Sequence, residues 1–262
     1  MSFRKSFLLV VGLRMMLTLG AASVTLGEDV QEHPLMPAIR LAYDVQKHID
    51  ADVKDYTCTT VNRERIGNEL SEFDYVQAKF RQQPFSVYMA LLKPESKKGQ
   101  EAIYVAGRND GCLLGHGCGL EKLAGTVKLQ PTGDLAMKDT HYPITETGMR
   151  NLVKRFIEVG ENDARFAECE VKFFKNAKVN GVSTTCIEVV HPRPRHEFLF
   201  HIARLYIDDE QRIPVRYVAY DWPKQPGGQP DLIEEYSYLN VKLNVGLTDA
   251  DFDPKNPAYQ YP

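Results

Sequence analysis

Apolar residues recur at helical spacing between residues 34 and 54. Leu35, Ala38, Ile39, Ala42, Val45, Ile49 and Val53 share one stripe, with Arg40, Asp44, Lys47 and Asp50 opposite, so an amphipathic helix is expected there. After Tyr56 the period becomes two. Strands are expected near 56–66, 72–82, 84–92, 101–107, 111–115 and 125–130, punctuated by Gly67-Asn68, Lys93-Pro94 and Pro131-Thr132-Gly133. The helical period returns from about Thr147 to Glu158, where Met149, Leu152, Val153, Phe156 and Ile157 form the stripe and Thr145 or Thr147 offers a cap. Strands resume near 168–175, 183–191, 198–208, 213–221 and 232–243, and "IDDEQRIPVRY" (207–217) reads as a hairpin. The tail "DFDPKNPAYQYP" is Pro-rich and reads as extended along the surface.

This pattern of about eleven strands and two helices makes an α+β chain, mainly β. It predicts a large curved antiparallel sheet with helices on one side. The strands are unusual in being partly apolar on both faces. In 84–92, Phe85, Val87, Met89 and Leu91 lie on one side, and Ser86, Tyr88, Ala90 and Leu92 on the other. In 232–243, an aliphatic face with Ile233, Leu239, Val241 and Leu243 opposes a mixed one with Leu232, Glu234, Tyr236 and Tyr238. Two helices, each only about 10–12 Å across, cover part of one face. The rest either packs, exposes amphipathic tyrosines or lines a cavity, and pattern alone does not choose.

The composition, 43% hydrophobic and 26% charged over 262 residues, is that of a folded globular protein. With no repeat, linker or composition shift, residues 28–262 read as one domain. Residues 1–27 read as an export signal: Arg4 and Lys5 precede the apolar run "SFLLVVGLRMMLTLGAASVTLG", interrupted by Arg14. Without those three residues, 29 basic face 35 acidic side chains, a balance that argues against a nucleic-acid binder. The five cysteines, Cys58, Cys112, Cys118, Cys169 and Cys186, are an odd number for an oxidising compartment. If "VNGV" (179–182) is a two-residue turn, Cys186 faces Lys175 rather than Cys169.

Candidate chemistry is thin. Cys112, His116 and Cys118 in "CLLGHGC", with His141, offer metal-ligand types, but the six-residue spacing fits no familiar zinc site. Cys58, Cys112 or Cys186 with His191, His196 or His201 has no nucleophile signature around it. No catalytic centre, metal or cofactor is expected. Arg63, Glu64, Lys79, Arg81, Glu101 and Arg204 form a charged set near the sheet, either a solvated network or a polar rim. The basic loop "HPRPRHEF" (191–198) suits a hairpin connection or transient contact with an anionic membrane surface.

The segments "VNRERIG" (61–67), "KFRQQPFSVYMALLKP" (79–94), "KGQEAIYV" (98–105), "YPITETG" (142–148), "LYIDDEQRIPVRYVAYDWP" (205–223), "EEYSYLNVKLNVGLTDADFD" (234–253) and "NPAYQY" (256–261) resemble an exported bacterial family, domain of unknown function 1571. The arrangement is also similar to the LolA-like lipoprotein-carrier fold. That resemblance implies an unclosed barrel whose concave face is covered by helices and encloses a hydrophobic cavity. It implies a non-enzymatic protein of the periplasm or cell envelope that binds a lipid or an acylated protein, or else a module that docks an envelope protein partner. The expected lining is Tyr88, Met89, Leu91, Tyr104, Leu152 and Phe156, with Arg81 at the polar rim. Tyr88 and the Met89/Leu91 pair point to opposite faces, and periodicity does not say which is concave.

Overall fold

Twelve antiparallel strands form a single sheet that never closes on itself, in a computed structural model that describes residues 32–166 and 169–262. The expected export signal lies outside the described residues. In chain order the elements are α1 (Met36–Asp52), β1 (Asp55–Ile66), β2 (Glu69–Leu70), β3 (Asp74–Arg81), β4 (Ser86–Lys93), β5 (Glu101–Val105), β6 (Leu113–His116) and β7 (Val127–Leu129). They continue with α2 (Met149–Asp163), β8 (Glu170–Val179), β9 (Val182–Val190), β10 (Ile202–Asp208), β11 (Pro214–Asp221) and β12 (Asp231–Leu243). Across the sheet the strands run β7-β6-β5-β4-β3-β1-β12-β11-β10-β9-β8, with β2 paired to β1. Each half is a meander, and the chain's first and last strands, β1 and β12, join the halves. This is the unclosed barrel that the sequence resemblance implies.

Local chemistry explains the elements. α1 starts on a proline in its first turn and buries Ala38, Ile39, Ala42, Val45 and Ile49. α2 extends past the expected Glu158 to Asp163, because Gly160 and Asp163 continue its buried stripe. The β8–β9 turn places Asn180 (φ 48°) and Gly181 (φ 84°) at its centre, the left-handed pair that a tight hairpin requires. Between β10 and β11, Asp208 Oδ1 accepts the backbone N–H groups of Glu210 and Gln211 at 2.8 and 2.9 Å and fixes the acidic turn.

Two expectations need correction. Residues 198–201 form a connection rather than the start of β10. Cys186 stands opposite Phe174, not Lys175, because the register shifts between Phe174 and Ala177, where Asn176 has a φ of 59°. All five cysteines are unpaired.

One hydrophobic cluster unites the helices with the inner face of the sheet: Ile39, Val45, Tyr56, Phe80, Val153 and Leu205 all belong to it. The outer face of β3–β5 is covered by the chain's own C-terminus. Tyr259 stacks on Tyr88 with ring centroids 3.9 Å apart, and Phe252 packs with Tyr88, Ile103 and Val105. Charges hold this tail down: Lys79 pairs with Asp251 at 2.8 Å, and Arg81 and Arg108 share Asp249 at 2.9 and 2.7 Å. Asp55 accepts the N–H groups of Gly246 and Leu247 where the tail leaves the sheet.

Candidate functional site

α2 buries Met149, Val153, Ile157 and Gly160, and an adjoining face borders a cavity. Gly148, Leu152, Phe156, Val159, Gly160 and Asp163, a stripe at helical spacing, line a cavity of about 310 Å³ beneath it. The cavity follows the helix from end to end, a span of about 22 Å at 1.5 Å per residue. Across from it stand Tyr217 and Ala219 of β11 and Ile233, Tyr236 and Tyr238 of β12, while Leu35 and Ile39 come from the α1 side. The slot is therefore largely apolar, and its volume is at the small end of ligand pockets, which run about 300–1,000 Å³.

Two features pin α2 at its ends. Tyr56 Oη accepts the Met149 N–H at 2.9 Å, and Tyr56 stacks on Phe80 at 4.8 Å. Gly148 sits on that ring pair with φ 95°, where a Cβ would come within 2.8 Å of Tyr56 Oη. At the other end a Cβ on Gly160 would lie 3.2 Å from Ile39.

A polar group interrupts the apolar wall. Glu64 and Glu234 are direct partners in the β1–β12 register, both buried. Like charges placed so are destabilising unless something intervenes, and His141 does. Its Nδ1 lies 2.8 Å from Glu234 and 3.4 Å from Glu64, and its Nε2 meets the Arg65 carbonyl at 3.0 Å. With acceptors at both nitrogens the ring is held as imidazolium, and the hydrogen bond to Glu234 raises the His141 pKa against the opposing effect of burial. Burial raises the Glu64 pKa, partly offset by the His141 backbone N–H. Tyr142 Oη donates to the other Glu234 oxygen at 2.8 Å, and Thr140 Oγ1 donates to Glu64 at 3.1 Å. The ligand-type atoms of Glu64, His141 and Glu234 lie within 4.8 Å of one another. In this arrangement they are bonded to one another and to these hydroxyls. Arg155 lies over the Tyr142 ring at 4.3 Å beside the slot.

At the C-terminal end of α2, Asp163 and His191 are both almost wholly buried and face each other at 3.3 Å. Burial pushes the Asp163 carboxyl up to about 6, against a smaller opposing effect of Asn162, and lowers the His191 pKa.

Of the residues expected from sequence, Leu152 and Phe156 line the slot. Met89 and Tyr104 sit on the inner face but pack into the core away from it, and Leu91 is half-buried on the same side of β4. Tyr88 is on the outer face under the tail. Arg81 is there too, paired with Asp249 and over the Phe252 ring at 4.9 Å, so it is no rim to this slot. Cys112, His116 and Cys118 do not converge: His116 faces Glu101 at 3.6 Å, while Cys118 donates to the Ser96 carbonyl. His141 belongs instead to the slot's polar wall. The missed residues, Glu234, Tyr236 and Tyr238, are those of the mixed face of 232–243, an alternation visible in the sequence.

The family profile described as "Protein of unknown function (DUF1571)" matches residues 53–261, all of the sheet and α2. The chain belongs to the DUF1571 family. No curated protein matches it. Among solved structures, this DUF1571 protein is similar to a DUF1329 family protein from Desulfovibrio piger (10% identity, TM-score 0.40, covering 84% of this chain and 98% of that one). It is also similar to the Mycobacterium tuberculosis lipoprotein LppX (11%, 0.45, 83% and 100%) and to a LolA superfamily protein from Nitrosomonas europaea (9%, 0.35, 82% and 97%). These overlaps are loose, and the geometry of the slot stands on its own. Among the described residues of this DUF1571 protein, no helix is long and apolar enough to cross a membrane.

Proposed function

We propose that this protein binds a hydrophobic ligand, a lipid or the acyl chain of an acylated protein, in the slot beneath α2, in the cell envelope and without catalysing a reaction. The observation that carries this reading is the slot itself: elongated, mostly apolar, of ligand size and bordered by a few fixed polar groups. Its volume of about 310 Å³ suits one chain rather than several. The export signal read in residues 1–27 supports the location.

The polar residues support binding over chemistry. Burial pushes the Cys58 thiol up to about 12 and raises that of Cys186, so neither is a poised nucleophile. His191 and His201 spend ring nitrogens on backbone carbonyls, and His196 is exposed. The face of β4 that would have served a docking module is occupied by the protein's own tail.

Native mass spectrometry of protein purified gently from its own envelope fraction, followed by lipid extraction, tests the reading. A single-chain species at near one-to-one stoichiometry is expected, absent from a folded Leu152→Trp variant whose indole fills the slot. A clean apo mass, with no thermal shift across a fatty-acid and phospholipid panel, would overturn it.

A further inference from the structure

Two buried side chains, Asp163 and His191, meet where α2 ends. His191 Nδ1 lies 3.1 Å from the Phe200 carbonyl, so it carries the ring proton and Nε2 keeps its lone pair. That lone pair faces the Asp163 carboxyl at 3.3 Å, and neither Asp163 oxygen nor His191 Nε2 has a well-formed hydrogen bond among the described residues. Both side chains are at most 1% exposed. Unpaired polar atoms at such depth are costly. One proton shared between Asp163 and His191 would satisfy that contact and leave the second carboxyl oxygen bare.

Asp163 also stands where the slot meets a second, shallower cavity of about 280 Å³, lined by Arg155, Glu158, Asn162, Glu197 and Leu199. Its carboxylates outnumber its cations. Lys154 reaches Glu158 at 3.5 Å, His196 reaches Glu197 at 3.1 Å, and Arg155 lies over Tyr142. Leu199, the apolar member of this vestibule, is 57% exposed. Asp163 and Leu199 thus border both cavities.

On the footing of the slot reading, we propose that the occupant is a single-chain amphiphile whose polar end is a hydrogen-bond donor, an ammonium or a hydroxyl, seated at the Asp163 carboxyl with its chain beneath α2. An ammonium brings three N–H donors and a charge complementary to Asp163, and a hydroxyl brings one donor. A carboxylate brings only acceptors and a like charge, so it leaves the bare Asp163 oxygen unpaired. The order of affinity is therefore amine, alcohol, carboxylate.

Calorimetric titration of lipid-stripped protein with dodecylamine, dodecanol and dodecanoate, each below its micellar concentration, tests this. Dodecylamine is expected to bind one-to-one and at least tenfold more tightly than dodecanoate, with dodecanol between them. A charge-assisted hydrogen bond is of that size. Asp163→Asn, which keeps the shape and adds an N–H₂ donor, is expected to reduce the amine-to-carboxylate ratio at least fivefold while leaving dodecanol within about threefold. Leu152→Trp is expected to abolish all three. Binding of dodecanol with no preference for amine over carboxylate, or a preference that survives Asp163→Asn, overturns the head-group assignment and leaves the slot reading standing. Failure of all three ligands to bind overturns both.

Discussion

Cutting His141 back with His141→Ala isolates the one cation that separates two buried carboxylates. Glu64 and Glu234 are 5% and 6% exposed and face each other across β1 and β12. Breaking a buried ion pair costs about 3–5 kcal/mol, because the surviving charge is stranded. His141 retains 29% of its surface, so the lower end, ~3 kcal/mol, is expected. The pH dependence follows from the directions of the shifts. The His141 pKa is raised, so its contribution is complete below the ordinary histidine value of about 6.5 and is lost as pH rises through the folded value. In acid, Glu64, whose pKa is also raised, takes up a proton, and the two carboxyls then need no cation between them. The stability difference between wild type and variant should be largest between the pH at which Glu64 takes up its proton and the pH at which His141 loses its own, and shrink on either side. Urea unfolding followed by circular dichroism at pH 4.5, 6 and 8 measures it. In the double variant with Glu234→Gln the two losses should fail to add by ~1–3 kcal/mol, as expected of contacting residues. A loss that does not vary with pH, or one below ~1 kcal/mol at pH 6, would refute the bridging role.

Two further outcomes are expected. Tyr259→Ala removes the ring stacked on Tyr88 and the hydroxyl that donates to the Asp251 carbonyl at 2.6 Å. It should cost ~2 kcal/mol and raise binding of a hydrophobic dye as the outer face of β4 opens; unchanged dye binding would show that the tail is not what covers that face. Asp163→Asn should change stability in a pH-dependent sense. The folded pKa of about 6 lies above the ordinary aspartate value, so wild type loses stability as pH rises through that interval, up to ~3 kcal/mol, and the lipid-stripped variant should gain that much on wild type between pH 4 and pH 8. Parallel pH curves for the two proteins would refute an uncompensated acid at this position.

The elements were legible because each rests on local period: the α1 stripe from Leu35 to Val53, the α2 stripe that includes Leu152 and Phe156, and the alternation of the strands. What local period cannot give is the side of the sheet that a strand face joins. Tyr88 and Met89 were equally good lining residues until the tail supplied Tyr259 as the partner of Tyr88. The tail's prolines indicated an extended surface segment, but nothing near them in sequence points to β4. The opposition of Glu64 and Glu234 was hidden for a related reason. It depends on the register of the first and last strands, which includes a shift between Thr57 and Thr59 that no motif announces. Asp163 and His191 were unreadable as a pair because one ends a helix and the other follows a strand.

Why the slot exists at all follows from a mismatch of dimensions. Eleven strands side by side at ~4.8 Å make a sheet roughly 48 Å wide, whereas two helices at about 10–12 Å each cover less than half of it. Elsewhere residues such as Leu129 of β7 and Ala136 of the loop after it pack against the core. Along the Leu152 and Val159 face of α2 a cavity remains. A free helix would settle onto the apolar wall and expel the space, since unfilled volume forfeits dispersion contacts. This one is seated on the core through Val153 and Ile157 and fixed at Gly148 by Tyr56 and Phe80 and at Gly160 by Ile39, so the adjoining face with Leu152 and Val159 borders the slot. The tyrosines opposite cannot fill the gap by rotating freely, because Tyr142 and Tyr236 are held at Glu234 through their hydroxyls. The polar wall therefore props the cavity open, which links the two halves of the site: the ion-bridged carboxylates fix the rings, and the fixed rings keep the slot wide enough for a chain.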